Sequence, residues 1–530
     1  MRKNDIETLK KVKRPLTIID DIYRWAEQGF ESIPPEAYDL LKWYGLFHRK
    51  QTPGYFMLRM RISNGVLTTQ QLRTLAGISR DYGRGVGDFT TRQNIQLRWI
   101  EIENVPDIFE RIRAAGLTCQ QTGMDNYRNV TGCPVAGLDA NELLDARQQA
   151  IATGLSLLGR EFENLPRKFN ISISGCRYDC AHAQSNDIGM TPATRRIGAR
   201  TLRGFNVVVG GALGGKDAHL AEPLDAFVLP EQVTALCRAI LTVFRDHGSR
   251  EKRQQARLKW LLWEWGIPKF RDEVMKVFGE NLPGAGQSEL WPHEAAALHA
   301  DHIGVHAQRQ AGLSYVGLLV PVGRLNQEQL FELADVADRY GSHEVRLTND
   351  QNVIIPNVPN KKVPALLAEP LLQEWSPHPS GILRGLVTCT GQDYCHFALN
   401  DTKGISLAIA RELEQRFPDT DKVVRLNVSG CIHACGRHRA TELGLMATRV
   451  RLENGEIVDG FDLFQGGRLG EEARLGEEVQ AKATIDQTVA WLAHEIAAKY
   501  GRQEAEAHLC GCEDIQVANQ EDTIPLLATA

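Results

Sequence analysis

Residues 65–83, GVLTTQQLRTLAGISRDYG, recur as residues 323–341, GRLNQEQLFELADVADRYG, 258 positions later and without a gap. The register runs on into TTRQN at 90–94 and TNDQN at 348–352, which sets Thr90, Gln93 and Asn94 over Thr348, Gln351 and Asn352. Self-similarity this long at one offset means a duplicated chain, and the period is far too long for a solenoid. Within each copy, Leu72, Leu75, Ala76 and Ser79, matched by Leu330, Leu333, Ala334 and Ala337, fall at helical spacing and predict a helix with one buried face. Upstream, Phe56, Leu58, Met60 and Ile62 alternate with Tyr55, Met57, Arg59 and Arg61, the period of a half-buried strand, and RQNIQLRWI at 92–100 follows as another. Each copy therefore reads as strand, helix, strand, close to half a ferredoxin-like unit.

A second block repeats behind the first. ISISGCRYDCAHAQSNDIGM from Ile171 matches LNVSGCIHACGRHRATELGL from Leu426 at an offset of 255, so Cys176 and Cys180 fall on Cys431 and Cys435. The expected fold is α+β and internally duplicated, A-B-A'-B', with the halves about a pseudo-twofold axis. The expected boundaries are 1–118 for an N-terminal segment and first half unit, 119–290 for the first B domain, 300–376 for the second half unit, 377–515 for the second B domain, and 516–530 for a tail. Turn residues in NLPGAGQSELWPHEAA mark the join.

Composition limits the functions open to such a chain. Its 530 residues suggest roughly 3 to 4 domains. The balance of 61 basic against 66 acidic residues gives no sign of a nucleic-acid partner or a polybasic membrane anchor. The N-terminus lacks the apolar core of a signal peptide, and no run approaches the roughly 20 apolar residues of a membrane span. The expectation is a cytoplasmic monomer. Eleven cysteines, an odd number in a reducing compartment, point away from a disulfide framework and toward metal binding or burial.

The two copies differ where chemistry is expected. The second half adds CTGQDYC, so Cys389 and Cys395 at C-x5-C precede Cys431 and Cys435 at C-x3-C. Knuckle zinc sites favour C-x2-C, whereas the cysteines of a cubane cluster each approach a different iron and tolerate wider spacing. A cluster therefore ranks above zinc, and zinc above inert burial, the more so because Gly391, Gly430 and Gly436 flank the thiols. The first half has Cys133, Cys176 and Cys180 but nothing matching Cys395, and its thiols are expected to be relics or packing residues. In their place it has cations. Arg92, Asn94, Gln96 and Arg98 alternate along one strand, Arg59 and Arg61 along another, and Arg128, Arg167 and Lys168 follow. The duplicate has Asp350 and Pro356 at the positions of Arg92 and Arg98. One half thus offers four thiols and the other an anion-binding face, a combination suited to reducing an oxyanion or holding a polyanionic redox cofactor.

At these residues the chain resembles the siroheme-dependent nitrite and sulfite reductases over nearly its whole length: the duplication, TTRQN, LPRKF, RLKWLL from Arg257, and C-x5-C with C-x3-C occur together. The resemblance implies two ferredoxin-like half units, two siroheme- and cluster-binding α/β domains, and a 4Fe-4S cluster on Cys389, Cys395, Cys431 and Cys435, with Cys435 also bridging to siroheme. It implies that siroheme lies on the basic face of Arg59, Arg61, Asn94, Gln96, Arg98 and Arg167, and that substrate meets Arg92, Arg128 and Lys168. Sulfite reductases of this family typically read RKFK where this chain has Asn170, and a neutral side chain suits the monoanion nitrite. The implied activity is assimilatory reduction of nitrite to ammonium. Sulfite reduction is the alternative, and a corrin-pathway oxygenase or a siroheme-free electron carrier are remoter ones. No G-x-G-x-x-G is present, so electrons are expected from a separate protein such as ferredoxin. His433, Arg437 and His438 are expected to be polar rim residues, and Cys510 and Cys512 to be incidental.

Overall fold

The computed structural model describes residues 5–297, 300–418 and 420–500. Cys510, Cys512 and the expected tail lie outside the described residues. The repeated helices span Thr69–Tyr82 and Gln327–Tyr340, and the apolar positions named above are buried in both. Each begins in a capping box: Thr68 with Gln71, and Asn326 with Gln329, so two otherwise unpaired amides of the first turn are satisfied.

Two short strands that the alternation does not reveal complete each copy, Val66–Thr68 and Val86–Phe89 in the first, Arg324–Asn326 and Glu344–Leu347 in the second. They cross over. Val66–Thr68 pairs antiparallel with Glu344–Leu347, and Arg324–Asn326 with Val86–Phe89. The result is two five-stranded sheets, each made of four strands from its own half and one from the other. Leu72 and Leu75 share a single hydrophobic core with Leu330 and Leu333. The half units are therefore one packed body.

The two B blocks fold alike. In the first, Tyr127–Thr131, Phe169–Ile173 and Ile188–Ile197 run parallel, then Arg200–Val209 and Glu222–Val228 return antiparallel. In the second, Leu386–Thr388, Leu426–Ser429 and Leu443–Arg451 run parallel, and Ile457–Gln465 and Glu477–Thr484 follow, each antiparallel to the strand before it. Cys133 and Cys176 follow the carboxyl ends of the first two strands of one sheet, and Cys389 and Cys431 those of the other, the end where open α/β sheets place their ligands.

The B domains are tied to the central body by a reciprocal contact. Gln93 and Gln351 both adopt positive φ, 50° and 67°. The Gln93 amide nitrogen donates to the Leu347 carbonyl (3.1 Å) and its oxygen accepts from the Gly132 amide (2.9 Å). Gln351 donates to the Phe89 carbonyl (3.1 Å) and accepts from the Thr388 amide (3.1 Å). Gly132 and Thr388 are the residues just before Cys133 and Cys389. Gly65 and Gly323 make room for this crossing: a Cβ at Gly65 would lie 2.5 Å from the Leu347 carbonyl oxygen, and both glycines hold positive φ. Gln351→Ala should strand a buried carbonyl and a buried amide and cost about 2–4 kcal/mol. A lower thermal midpoint than that of an exposed control such as Gln70→Ala checks this; equal midpoints would show that the contact contributes nothing.

Candidate functional site

A cavity of about 470 Å3 lies where the first B domain, the central body and the second B domain meet. The sulfur-bearing residues Cys389, Cys395, Cys431 and Cys435 form part of its wall, and Arg59, Arg92, Arg128, Arg167, Lys168 and Asn170 form another part. The separation of thiols and cations by more than 200 residues of sequence is closed by the fold.

The cations are crowded. Arg92 donates to Asn186 Oδ1 (2.9 Å), Arg128 to the carbonyls of Thr122 and Met124, and Arg59 stacks on Phe47 at 4.2 Å. Burial lowers Arg59, Arg92 and Arg167 to about 10, and neighbouring arginines push the same way. Lys168 is lowered to about 7, first by burial and then by Arg257, and the Cys435 sulfur opposes the shift. Asp125, shared among Lys10 (3.1 Å), Arg253 (2.9 Å) and Arg167 (3.8 Å), and Asp187, paired with Arg257 (2.7 Å), are the nearby counter-charges. A cavity that makes its own cations easier to discharge is one in which a bound anion is strongly favoured.

Several expected contacts have other duties. Arg61 does not line the cavity: it donates to the carbonyls of Arg128 (2.8 Å), Gln121 (2.9 Å) and Tyr127 (3.1 Å), because the strand ends at Arg59 and the chain turns away. Arg98 reaches the wall but is neutralised by Asp88, which also binds Lys403 Nζ (2.6 Å), and it stacks on Tyr394 at 4.2 Å. Asn94 lines the cavity while donating to the Met60 carbonyl, and Gln96 accepts from Arg98 (3.0 Å). Arg437 lines the cavity but is largely buried, paired with Asp350 and donating to the Asn349 carbonyl (3.0 Å), whereas His438 is buried away from it and packs on Phe464 at 4.9 Å. His433 does lie on the cavity wall. The glycines beside the thiols serve loop packing, since a Cβ at Gly430 would lie 2.7 Å from Ala398 Cβ and one at Gly436 2.0 Å from the Val428 carbonyl oxygen.

Residues that the strand patterns do not reveal complete the wall: Arg257, His182 and Asn186. Arg257 opens RLKWLL, where its pairing with Asp187 could not be read from spacing. The thiols receive backbone hydrogen bonds, Gly430 N–H to Cys389 Sγ (3.1 Å), and amides of Phe397 and Ala398 to Cys395 and of His433 to Cys431. Burial pushes these thiols up, Cys389 to about 11 and Cys431 to about 12, and N–H donation to sulfur opposes that shift and favours thiolate, the form that ligates iron.

Comparison with known proteins is decisive at this point. The nitrite and sulphite reductase 4Fe-4S domain matches residues 123–282 and again 381–508, and the nitrite/sulfite reductase ferredoxin-like half domain matches 48–115 and 306–372. The chain belongs to the nitrite and sulphite reductase family. Each B block corresponds to the 4Fe-4S domain and each A block to the half domain, so the duplication is the family's own. The ferredoxin–nitrite reductase of Synechococcus elongatus is 46% identical over 95% of this chain and 98% of its own. The assimilatory ferredoxin-dependent nitrite reductase of Haloferax mediterranei is 38% identical over 92% of this chain and 89% of its own. The solved structure of Mycobacterium tuberculosis NirA superposes with a TM-score of 0.87 at 31% identity, covering 94% of this chain and 95% of that one. Among the described residues no helix is long and apolar enough to cross a membrane.

Asp88 draws together Arg98 of its own half unit, Lys403 of the second B domain and Arg324 of the second half unit; Asp88, Arg98 and Lys403 are buried and Arg324 is partly exposed. Asp88→Asn should cost about 3–5 kcal/mol, because it leaves buried cations without their counter-charge. Asp335→Asn, which breaks an exposed pair with Arg73, should cost less than about 1 kcal/mol. Thermal unfolding of the two variants side by side measures the difference, and similar losses would refute it.

Proposed function

We propose that this protein is an assimilatory, ferredoxin-dependent nitrite reductase that takes nitrite to ammonium with six electrons. Its 4Fe-4S cluster would be held by Cys389, Cys395, Cys431 and Cys435, and siroheme by the adjoining cationic cavity. The observation that carries this reading is that four thiols and a ring of cations open into one cavity. A tetrapyrrole with many carboxylates fits a wall of arginines, and iron fits sulfurs already receiving backbone N–H bonds. With both groups in place, siroheme would supply a redox metal for the anion and the cluster would supply single electrons, Cys435 being one of the four residues that would hold the cluster.

The chain's own residues do the remainder. Arg92, Arg128 and Lys168 neutralise the anion on entry, and their burial keeps that attraction strong. Lys168, lowered to about 7, has a proton to give at neutral pH. Arg59 and Arg167, on the same wall, would hold the carboxylates of the cofactor. Asn170, on the strand Phe169–Ile173, is buried, and its main-chain amide is fixed by Asp187 (2.7 Å), which leaves a neutral amide side chain toward the cavity. A neutral group there suits a monoanion better than sulfite. The curated relatives are named for ferredoxin, and no dinucleotide fingerprint is present in this sequence, which supports a protein donor.

The direct test is activity on nitrite and on sulfite with a reduced-viologen donor, together with the absorbance spectrum of the purified protein. A siroheme spectrum with nitrite preferred is expected; sulfite preferred would favour the sulfite-reducing alternative. Asn170→Lys should move the ratio of kcat/KM values toward sulfite roughly tenfold, or about 1.4 kcal/mol of differential transition-state binding. An unchanged ratio at equal siroheme content would mean that Asn170 does not face the substrate. Cys435→Ser should shed cluster iron and activity together, and a fully active variant with both groups intact would rule out the bridge.

A further inference from the structure

The first-half cysteines are neither scattered nor simply packed. Cys133, Cys176 and Cys180 are buried, and the ligand atoms of Cys133, Cys180 and His302 lie within 4.8 Å of one another. The Cys176 thiol lies against those of Cys133 and Cys180. His302 comes from the segment joining the halves, and its ring is 1% exposed, yet neither Nδ1 nor Nε2 has a hydrogen-bond partner. A buried imidazole with both nitrogens unpaired calls for an explanation.

The surrounding chain holds that ring in position. Asp301, one residue earlier, is bound by Arg384 (2.8 Å) and accepts from the Ile303 amide (3.0 Å). A Cβ at Gly317 would sit 1.9 Å from the His302 carbonyl oxygen, so only glycine lets the neighbouring strand pass. The Cys180 carbonyl accepts from Asn349 Nδ2 (2.9 Å), and the Tyr178 amide donates to Cys176 Sγ (3.2 Å). The Cys133 carbonyl accepts from Asn64 Nδ2 (3.2 Å), so the backbone of Cys133, Cys180 and His302 is pinned by other elements and Cys176 is held at its sulfur.

We propose that Cys133, Cys176, Cys180 and His302 form a structural zinc site, a Cys3His tetrahedron distinct from the iron-sulfur cluster. Tetrahedral zinc with Zn–S of about 2.3 Å needs ligand atoms about 3.8 Å apart, within the observed spread. A cubane needs its cysteines further apart, each on its own iron. Among the described residues only this group is drawn together so tightly; the four cavity thiols are not. The site has no open position for substrate. It would tie two strand ends of the first B domain to the segment between the halves, behind the wall that Ala181, His182 and Ser185 give to the cavity.

Metal analysis and zinc-edge X-ray absorption of the purified holoenzyme, grown with zinc, test the assignment. About one zinc per chain is expected, with three sulfur and one imidazole ligand. Cys180→Ala and His302→Ala should each lower zinc occupancy at least tenfold while cluster iron stays at the wild-type level. Absence of zinc from the wild type, a ligand shell without sulfur, or a Cys133–Cys180 disulfide on non-reducing mass analysis would overturn the proposal. So would zinc retained in a Cys133→Ser/Cys180→Ser variant. If the variants do not fold, the wild-type ligand shell alone decides.

Discussion

The reciprocal glutamines, Gln93 and Gln351, are the contact on which the site's geometry depends. Each sits in a strained left-handed turn of one half, grips a strand end of the other half, and receives the amide that precedes a cysteine loop. One side chain therefore fixes three things at once: the register across the pseudo-twofold axis, the position of a B domain, and the start of a thiol-bearing loop. A buried amide with both ends occupied has little room to shift, because any movement would leave a polar group unpaired. The exchanged strands Val66–Thr68 and Arg324–Asn326 strengthen the same joint with backbone ladders. A cavity formed by separate domains needs such a joint if cations from one are to stay opposite thiols from another.

Charge is distributed with the same economy of position. Acidic side chains stand behind the cavity wall: Asp125 and Asp187 under the cationic strands, Asp88 between Arg98 and Lys403. They keep the arginines charged and oriented without lying between them and a bound anion. In the duplicate the position of Arg92 is taken by Asp350, which pairs with Arg437 of the loop that carries Cys431 and Cys435, so the turn that lines the cavity with a cation in one half braces the thiol loop in the other. Thr91 adds a hydroxyl donated to the Cys435 carbonyl (3.0 Å), so the first half's turn touches the thiol loop as well.

Much of this was legible in the sequence because duplication writes itself as register. The helices, the principal strands and the A-B-A'-B' order follow from apolar spacing and two offsets. The strands Val66–Thr68 and Val86–Phe89 were not legible, since three or four residues carry no measurable alternation and each takes a partner from the other half. Among site residues, alternation placed Arg92, Asn94, Gln96 and Arg98 along the cavity, yet it could not tell a cation facing the anion from one spent on an ion pair. Arg98 needed Asp88, and Arg61 needed the end of its strand, before their duties could be known. His438 was misread for a related reason, and Arg437, which does line the cavity, is spent on Asp350: a polar residue beside a cysteine looks free until its burial and partner are seen.

The two cysteine sets show how a duplicated frame yields different chemistry. Both follow the carboxyl ends of parallel strands, and Cys176 and Cys180 align with Cys431 and Cys435. What separates them is the origin of the fourth ligand and the depth of the loop. In the second half Cys395 arrives from the same loop as Cys389, and the thiols spread along a cavity wall where a large group can enter. In the first half no such cysteine exists. The fourth donor would be an imidazole reaching in from the joining segment, and the space closes over it with Tyr178 and Tyr315 ring centroids about 6 Å from that ring. A pocket so closed has room for a single ion and no path for substrate. The same loop geometry thus leaves one set of thiols on an open cavity wall and seals the other set away from it.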